Sequence, residues 1–380
     1  MSFSALGLSP SLLKAVKEQG YTSAYPIQQQ AIPVVLQGKD VLGIAQTGSG
    51  KTAGFALPIL QLLEKKAETK NRFVKVLVLV PTRELAVQVE ETFYNLSIHL
   101  PQKVKSLAVY GGVSINPQMM KLRGTDVLIA TPGRLLDLVG QNAVKLSGVE
   151  VLVLDEADKM LNLGFKEEMD RIFDLLPARR QNLLFSATLV GDVETIVATQ
   201  LHNPVTIKVE TETSVPDLID QVAYQVAAEK KGPFLRYLIN HENMQQVLVF
   251  ASSIRTADNI VGKLKKNGIE AAALHGDKSQ GARTEALKQF KAGKVRVLVA
   301  TDLASRGIDI KFLPYVINYE LPRSPKDYVH RIGRTGRAEA SGKAISLITP
   351  EDAHHFKIIQ KKMGKQVTKL PTDELDLQGM

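Results

Sequence analysis

The fold prediction starts from residues 45–52, which read Ala45-Gln46-Thr47-Gly48-Ser49-Gly50-Lys51-Thr52. The apolar run Val41-Leu42-Gly43-Ile44 precedes this stretch, and the helix-like Ala53-Gly54-Phe55-Ala56-Leu57 follows it. A strand, a glycine turn and a helix start in this order are typical of a phosphate-binding loop, because glycines let backbone N–H groups turn inward and the helix start adds unpaired donors. We expect Lys51 on the β- and γ-phosphates and Thr52 on Mg²⁺, although Ala45 stands where the usual pattern has glycine.

The composition narrows the class of protein. The chain has 380 residues, which is too long for one ordinary core and favours two domains, with three as the alternative. Of these residues 44% are hydrophobic and 23% charged, as in globular proteins, and the net charge of +9 fits a polyanionic partner and a merely basic protein equally well. The absence of cysteine suits a reducing, cytoplasmic setting, and no apolar run reaches the roughly 18 residues that a membrane helix needs.

Apolar runs alternate with helical segments in both halves of the chain. The runs are continuously apolar, which is typical of parallel strands buried on both faces of a sheet. The alternation predicts a doubly wound α/β sheet in each half. The expected strands cover residues 74–80, 106–110, 127–130, 149–154 and 182–185, and then 222–226, 247–250, 271–274, 295–300, 315–319 and 344–348. At the start of the chain, the expected helices cover residues 8–19 and 29–36, with a turn-rich stretch at 21–28.

A polar segment separates the two halves. It reads Glu210-Thr211-Glu212-Thr213-Ser214-Val215-Pro216-Asp217, and its polarity and proline predict a linker. Only the first half carries a Gly-Lys-Thr loop. We therefore expect an N-terminal domain over residues 1–209, a linker over 210–219, a C-terminal domain over 220–368 and a polar tail over 369–380.

Carboxylates end one of the expected strands. The segment Leu152-Val153-Leu154-Asp155-Glu156-Ala157-Asp158 places them where open α/β sheets bind ligands. We expect Asp155 to hold Mg²⁺ through water, and Glu156 to orient or deprotonate the attacking water. The alternative is acidic capping of the following helix. The phosphate loop in the same half favours the nucleotide interpretation.

Hydroxyls and arginines follow two further expected elements. Ser186-Ala187-Thr188 comes directly after a strand, where hydroxyls act as helix caps about as often as they act in function. Residues 328–337 read Tyr328-Val329-His330-Arg331-Ile332-Gly333-Arg334-Thr335-Gly336-Arg337, with arginines three residues apart among glycines. They are interpreted as arginine fingers that supply positive charge during phosphoryl transfer, with a solvated basic turn as the alternative.

A longer set of motifs occurs in one order along the chain. It comprises Gly20-Tyr21, Pro26-Ile27-Gln28, residues 45–52, Pro81-Thr82-Arg83-Glu84-Leu85-Ala86, Gly111-Gly112, Thr131-Pro132-Gly133-Arg134, Asp155-Glu156-Ala157-Asp158, Ser186-Ala187-Thr188, Gln280-Gly281-Ala282-Arg283, Ala300-Thr301-Asp302, Arg306-Gly307-Ile308-Asp309 and residues 330–337. With this set the chain resembles the DEAD-box RNA helicases over nearly its whole length, and its opening and first domain are most similar to the bacterial RhlE type. This family also has alanine at the position of Ala45.

The resemblance implies two tandem RecA-like domains joined by a short linker, with ATP and RNA bound across their cleft. It implies that residues 45–52 bind the nucleotide, that Phe3 and Tyr21 pack the glutamine motif and the adenine, and that Asp309 contacts the ribose. It assigns phosphate contacts to Arg334 and Arg337. RNA-backbone contacts fall to Pro81, Thr82, Arg83, Gly112, Thr131, Arg134 and Thr301. Coupling of the ATP state to strand separation falls to Ser186, Thr188, Asp158 and His330.

Gln28 is the residue expected to select the base of the nucleotide. A glutamine amide pairs bidentately with adenine N6–H₂ and N7, whereas guanine O6 leaves the glutamine oxygen unpaired. A site built on such bonds discriminates strongly, so ATP is expected over GTP.

The RNA is expected to be recognised through its backbone. The chain has no tryptophan and only 6% aromatic residues, which disfavours a row of base-stacking platforms. Contacts to phosphates and 2′-OH groups are independent of sequence and favour RNA over DNA. The family often adds a C-terminal extension that selects the RNA, and this chain stops soon after its second domain, so the RNA target stays open.

The residues and the resemblance together predict an ATP-dependent RNA helicase that opens short duplexes. An ATP-gated RNA clamp with little unwinding uses the same chemistry. An RNA chaperone with a vestigial ATPase is disfavoured by the intact set of Lys51, Asp155, Glu156 and Arg337. A P-loop ATPase that acts on DNA or protein is the remaining alternative, which stimulation of the ATPase by RNA or DNA distinguishes.

Overall fold

The fold is described from a computed structural model, over residues 2–46, 48–64, 73–189, 191–209, 219–302, 313–336 and 342–372. The chain forms two compact units, Met1–Glu210 and Thr211–Met380. In the described part of the chain, no helix combines the length and the apolar character needed to cross a bilayer. Each unit is an α/β layered structure, and each is taken separately below.

The first unit opens with a 3-10 turn at Phe3–Leu6 and then alternates helices and strands. Its helices are α1 (Pro10–Glu18), α2 (Pro26–Leu36), α3 (Lys51–Leu63), α4 (Arg83–Ser97), α5 (Asn116–Lys121), α6 (Pro132–Gly140), α7 (Ala157–Asn162), α8 (Lys166–Phe173) and α9 (Asp192–Gln200). Its strands are β1 (Val41–Ile44), β2 (Val76–Leu79), β3 (Ser106–Val109), β4 (Val127–Ala130), β5 (Val151–Asp155), β6 (Gln181–Ser186) and β7 (Val205–Lys208).

The strands of the first unit form a parallel sheet in the order β3-β4-β2-β5-β6-β1-β7. Successive side chains point to opposite faces, so Val76 and Val78 join the core beneath α1–α4, whereas Leu77 and Leu79 join the core beneath α6–α9. Because both faces are covered by helices, the strands are continuously apolar, as the sequence predicted.

The second unit repeats this plan. After a 3-10 turn at Ala228–Lys230, its helices are α10 (Lys231–His241), α11 (Ile254–Lys266), α12 (Gln280–Lys291), α13 (Pro325–Ile332) and α14 (Ala353–Met363). Its strands are β8 (Ile219–Gln225), β9 (Val247–Ala251), β10 (Ala271–Leu274), β11 (Val297–Thr301), β12 (Tyr315–Asn318), β13 (Gly342–Ile348) and β14 (Thr368–Pro371). The parallel sheet order is β10-β11-β9-β12-β13-β8-β14, the same permutation as in the first unit.

The corresponding strands β1 and β8 each lead into a helix that begins with a buried lysine. In the first unit this is Lys51. In the second it is Lys231, whose Nζ donates to Tyr319 O at 3.1 Å and to Asp352 Oδ2 at 3.4 Å. The second lysine is therefore paired with a carboxylate of its own unit.

Hydroxyl side chains begin several helices. In each case the Oγ of the residue before the helix accepts the N–H of the residue three positions later, which satisfies a donor that the helix leaves unpaired. These caps are Ser9 on α1, Thr82 on α4, Ser253 on α11, Ser279 on α12 and Ser324 on α13. The serine and threonine positions thus set where these helices start.

Three sequence expectations are corrected, and one strand was not expected. The stretch 21–28 was expected to be turn-rich, but α2 begins at Pro26, because proline is favoured in the first helical turn. The expected polar tail from residue 369 is in part a strand, since β14 pairs in parallel with β8 and Thr368 aligns with Val222. The edge strand β7 was not expected at all. Of the expected linker, Ile219 is the first residue of β8, and residues 210–218 lie outside the described residues.

Candidate nucleotide and nucleic-acid sites

The loop between β1 and α3 has the backbone that anion binding requires. Gly48 and Gly50 have φ angles of +97° and +85°, which favour glycine because a Cβ is strained there. Lys51 is the first residue of α3, and its Nζ donates to Ala45 O at 2.7 Å and to Gln46 O at 3.3 Å. The ammonium therefore folds back under its own loop, where it adds positive charge to the helix start.

Buried charges of opposite sign face each other beneath this loop. Lys51 is only 7% exposed. Burial lowers its pKa, while the carboxylates of Asp155 and Glu156 act to raise it. Burial raises the pKa of Asp155 to about 6, against the effect of the Lys51 ammonium. Asp155 Oδ1 is buried with no hydrogen-bond partner among the described residues, and so is Ser49 Oγ. An unpaired carboxylate oxygen and hydroxyl fit a ligand that brings a cation and polar groups.

Glu156 occupies the N-cap position of α7, with a left-handed φ of +56° and no side-chain cap bond. Its Oε1 instead accepts from Lys159 Nζ at 2.6 Å, one turn along the helix. The Glu156 side chain therefore does not cap the helix, which was the alternative interpretation. A left-handed non-glycine residue costs energy and is frequent at functional sites.

Gln28 connects the start of α2 to the phosphate loop. Its Oε1 accepts from Tyr25 N at 2.8 Å, and its Nε2 donates to Gly50 O at 3.0 Å. The side chain is 2% exposed, and a Cβ on Gly50 would overlap its amide. One Oε1 lone pair and one Nε2 hydrogen remain for a base, so adenine recognition by Gln28 stays a prediction. The link to the loop is a role that sequence reasoning missed.

Phe3 and Tyr21 lie together, and their contact with the adenine stays a prediction. Their ring centroids are 6.2 Å apart, with planes 26° from parallel. Phe3 is buried in the core under α2, whereas Tyr21 is partly exposed. The pair therefore has one ring in the core and one ring at the surface.

Ser186 at the end of β6 and Thr188 just after it do not cap α9, whose N-cap is Gly191. Ser186 Oγ donates to Thr188 O at 2.7 Å and accepts from Thr188 N at 3.3 Å, which closes a local turn. Thr188 Oγ1 donates to Asp158 Oδ2 at 3.2 Å. The structure thus brings three of the proposed coupling residues together, because Thr188 is bonded to both Ser186 and Asp158.

Arg83 and Gly112 are in close contact on the first unit. Gly112 has a φ of +74°, and a Cβ there would overlap the Arg83 guanidinium. Arg83 is the first residue of α4, directly after the cap Thr82, so β2 and its cap position it. Pro81 is buried, and Thr82 and Arg83 are partly buried. The glycine therefore leaves room for the arginine.

Arg134 was expected on the RNA backbone, yet it is 8% exposed. Its Nη2 donates to Val113 O at 2.8 Å, and its Nε donates to Asp137 Oδ2 at 3.4 Å. Thr131, at the N-cap of the same helix α6, is also buried. In this structure Arg134 supports the loop that contains Gly112, and direct RNA contact by Arg134 and Thr131 stays a prediction.

In the second unit, Arg331 on α13 makes several hydrogen bonds. Its Nε and Nη2 donate to Asp302 Oδ1 and Oδ2 at 2.6 and 2.8 Å. Its Nη1 donates to Asn318 Oδ1 at 3.1 Å and to Glu320 O at 2.6 Å, and its guanidinium lies 4.9 Å from the centroid of the Phe250 ring. Arg331 therefore joins α13 to the carboxyl ends of three strands.

Three other predicted site residues lie in the described part of the second unit. Thr301 ends β11, and Arg334 is buried just beyond α13, where its backbone carbonyl accepts from Leu313 N at 3.1 Å. His330 is exposed on α13. The remaining predicted residues Thr47, Asp309 and Arg337 lie outside the described residues.

Comparison with known proteins decides the family. Residues 25–196 match the family described as DEAD/DEAH box helicase, and residues 230–339 match the helicase conserved C-terminal domain. The ATP-dependent RNA helicase CshA of Listeria monocytogenes is 40% identical over 98% of this chain and 71% of its own length. The chain belongs to the DEAD-box family of ATP-dependent RNA helicases.

Further relatives of the helicase agree with this assignment. CshA of Limosilactobacillus reuteri is 41% identical over 100% of this chain and 76% of its own length. The solved structure of S. cerevisiae Dbp5 bound to RNA and ADP BeF3 has a TM-score of 0.84 and 31% identity, and covers 98% of this chain and 96% of that one. A DEAD box protein from Methanococcus jannaschii has a TM-score of 0.55 and 35% identity, over 97% and 99%. The prediction of tandem RecA-like domains is thereby confirmed.

Two residues of the helicase escaped sequence reasoning. Lys159 pairs with Glu156, and the signal was its position one turn after an acidic strand end. Arg331 was noted only as one of several spaced arginines, because its neighbours on the chain give no sign that its side chain turns inward. Burial of that kind depends on Asp302 and Asn318, which are distant in sequence, so periodicity does not reveal it.

Proposed function

We propose that this helicase hydrolyses ATP with Mg²⁺ at the first-unit loop and uses the cycle to open short RNA duplexes. The observation that supports the proposal most directly is the buried, unpaired Asp155 Oδ1 in the same unit as the Lys51 ammonium and the glycine loop. A buried carboxylate oxygen without a donor is costly unless a ligand satisfies it. The relatives are named ATP-dependent helicases, and the solved structure of Dbp5 holds ADP BeF3.

The residues of the loop fit a magnesium nucleotide. Thr52 and Asp155 would hold the metal ion, which would neutralise charge on the phosphates. Lys51 and the loop N–H groups bind the phosphates, and Ser49 Oγ offers a further donor. Glu156, held by Lys159, orients the attacking water from the end of β5.

RNA is the proposed macromolecular substrate, because Dbp5 was solved bound to RNA and the curated relatives are named RNA helicases. Arg83 and Gly112 are the first-unit residues proposed to contact the backbone, and Arg134 orients their loop through Val113. In the second unit we propose Thr301 for RNA, with Asp309, Arg334 and Arg337 for the nucleotide, Arg334 and Arg337 also acting in hydrolysis. Backbone contacts of this kind do not read sequence.

The RhlE-type subgroup and the cytoplasmic setting are proposals of the same kind. The relatives at about 40% identity carry the name CshA, so the subgroup rests on the motif resemblance alone. The cytoplasm is favoured because the chain contains no cysteine, which suits a reducing compartment.

The test is the ATPase rate with and without single-stranded RNA, repeated with single-stranded DNA of the same sequence. We expect strong stimulation by RNA and little by DNA, and loss of activity in Lys51→Ala. RNA affinity should fall with salt by about 0.7 log units per log unit for each neutralised phosphate. Equal ATPase rates with RNA, with DNA and without nucleic acid would refute the proposal. A slope near zero would refute backbone recognition.

A further inference from the structure

A pocket of about 150 Å³ opens between the first two turns of α10 and one side of α11, beside the end of β12. Both helices pack on one face of the second sheet, whereas α12 and α13 pack with the cores on its other face. The pocket therefore lies on the face opposite the helix that carries Arg331. It is distinct from every residue proposed above for ATP or RNA.

Positive charge and hydrogen-bond donors converge on this pocket. Arg236 lines it and is 8% exposed, and Lys263 lines it from the surface of α11. A Cβ placed on Gly232 would lie 3.8 Å from Arg236 Nη1 and 3.9 Å from Tyr319 Oη, so both groups lie close to the glycine. No aspartate or glutamate occurs among the described residues that line the pocket. The charged side chains among these lining residues are therefore both basic.

The Tyr319 hydroxyl is available as a donor. Burial raises the pKa of Tyr319, and the Glu320 carboxylate acts in the same direction, against Arg236. Glu320 itself is engaged elsewhere, since its Oε2 accepts from Ser252 N at 2.6 Å. The phenol thus stays protonated near neutral pH, next to the guanidinium.

The floor of the pocket is apolar. Leu235, Ile260 and Leu264 supply it, and all three are buried. Ligand pockets for whole small molecules measure about 300–1,000 Å³. A volume of about 150 Å³ therefore suits a single side chain better than a nucleotide or another cofactor. A cationic wall above an apolar floor suits an acidic side chain with a methylene stem.

We propose that this α10–α11 pocket docks a glutamate side chain from a segment of a partner protein. The carboxylate lies against Arg236 and Lys263, and its methylene stem packs on the apolar side chains of the floor. Charge complementarity and the side-chain-sized volume commit the site to a peptide. An RNA phosphate has no apolar part for the floor to bind, and the known nucleic-acid motifs of the chain lie elsewhere.

The test uses the full chain with ¹³C-methyl isoleucine and leucine, titrated with a capped peptide of sequence Ala-Leu-Glu-Leu-Ala. The matched peptide has glutamine in place of glutamate. We expect the glutamate peptide to shift the methyl signals of Ile260, Leu235 and Leu264, and the glutamine peptide to bind about tenfold more weakly. Single-stranded RNA should neither shift these signals nor displace the peptide.

Two pairs of variants make the test specific. Lys263→Glu should weaken the glutamate peptide about tenfold, whereas Lys266→Glu, on the same helix but outside the pocket, should leave it within about twofold. Gly232→Leu should fill the pocket and abolish binding, whereas Gly262→Leu, whose Cβ meets nothing within 4 Å, should not. Equal binding of the two peptides, no shift with either at millimolar concentration, or displacement by RNA would each overturn the proposal.

Discussion

Replacing Gln28 by methionine separates two roles of one side chain. Methionine keeps the volume and the packing under α2, but it removes the bond from Gln28 Nε2 to Gly50 O and the bond from Tyr25 N to Gln28 Oε1. Each neutral hydrogen bond contributes about 0.5–1.5 kcal/mol net. The bond to Gly50 touches the phosphate loop itself, so its loss should loosen the loop for any phosphate ligand.

The size of this effect follows from that single bond. An energy of about 0.5–1.5 kcal/mol corresponds to a roughly two- to tenfold change in affinity. We therefore expect Gln28→Met to weaken inorganic tripolyphosphate, GTP and ATP by this factor alike. ATP should lose a further factor, because the predicted adenine contacts disappear as well.

The assay is displacement of a fluorescent ATP analogue by the three ligands in the presence of Mg²⁺. Gln29→Met is the matched control. Gln29 lies on the same helix as Gln28, but its Nε2 donates to Ala24 O at 2.7 Å and does not reach the phosphate loop. Unchanged tripolyphosphate affinity in Gln28→Met would refute the positioning role. An ATP loss no larger than the tripolyphosphate loss would refute adenine recognition by Gln28.

Three further outcomes are expected. Gly112→Ala should weaken single-stranded RNA about tenfold in fluorescence anisotropy, because a Cβ at positive φ costs on the order of 1–3 kcal/mol and overlaps Arg83; unchanged affinity would contradict this. Arg331→Ala should lower the free energy of unfolding of the second unit by about 3–5 kcal/mol in urea titrations, with a loss under ~1 kcal/mol as the opposing result. Thr188→Val should retain ATPase within about twofold but lose duplex unwinding, since it removes only the roughly 1 kcal/mol bond to Asp158; parallel loss of both activities would make Thr188 structural.

The central strands of both sheets were predictable because their residues carry the signal themselves. Val76 to Leu79 and Val297 to Ala300 are apolar without interruption, which is the pattern of strands covered on both faces. The edge strands β7 and β14 were not predictable in this way, unlike β3 and β10 at the opposite edges. In Val205–Lys208 one residue of four is buried, and Thr368–Pro371 is exposed throughout, so these strands lack a continuous apolar run and resemble loops.

The glycine turn between β1 and α3 and the position of Lys51 at the helix start were predictable, because they depend on short spacing along the chain. The environment of the loop was not. The bond between Gln28 and Gly50 and the inward turn of Arg134 toward Val113 join residues about twenty positions apart. Such contacts follow from how helices pack on the sheet, which neither motif spacing nor hydrophobic period encodes.

The buried lysine that begins α10 has a wider consequence. The shared strand order places Lys231 in the second sheet where Lys51 stands in the first. Its charge is met by Asp352, a carboxylate that Thr349 also holds through its N–H at 3.1 Å and its Oγ1 at 3.0 Å. A phosphate arriving there would have to evict a tethered anion that pays no cost of association. The second unit thus has the same architecture, but a carboxylate of its own chain occupies the place of a phosphate ligand. We therefore expect a nucleotide to bind the lysine of the first unit and not the lysine of the second.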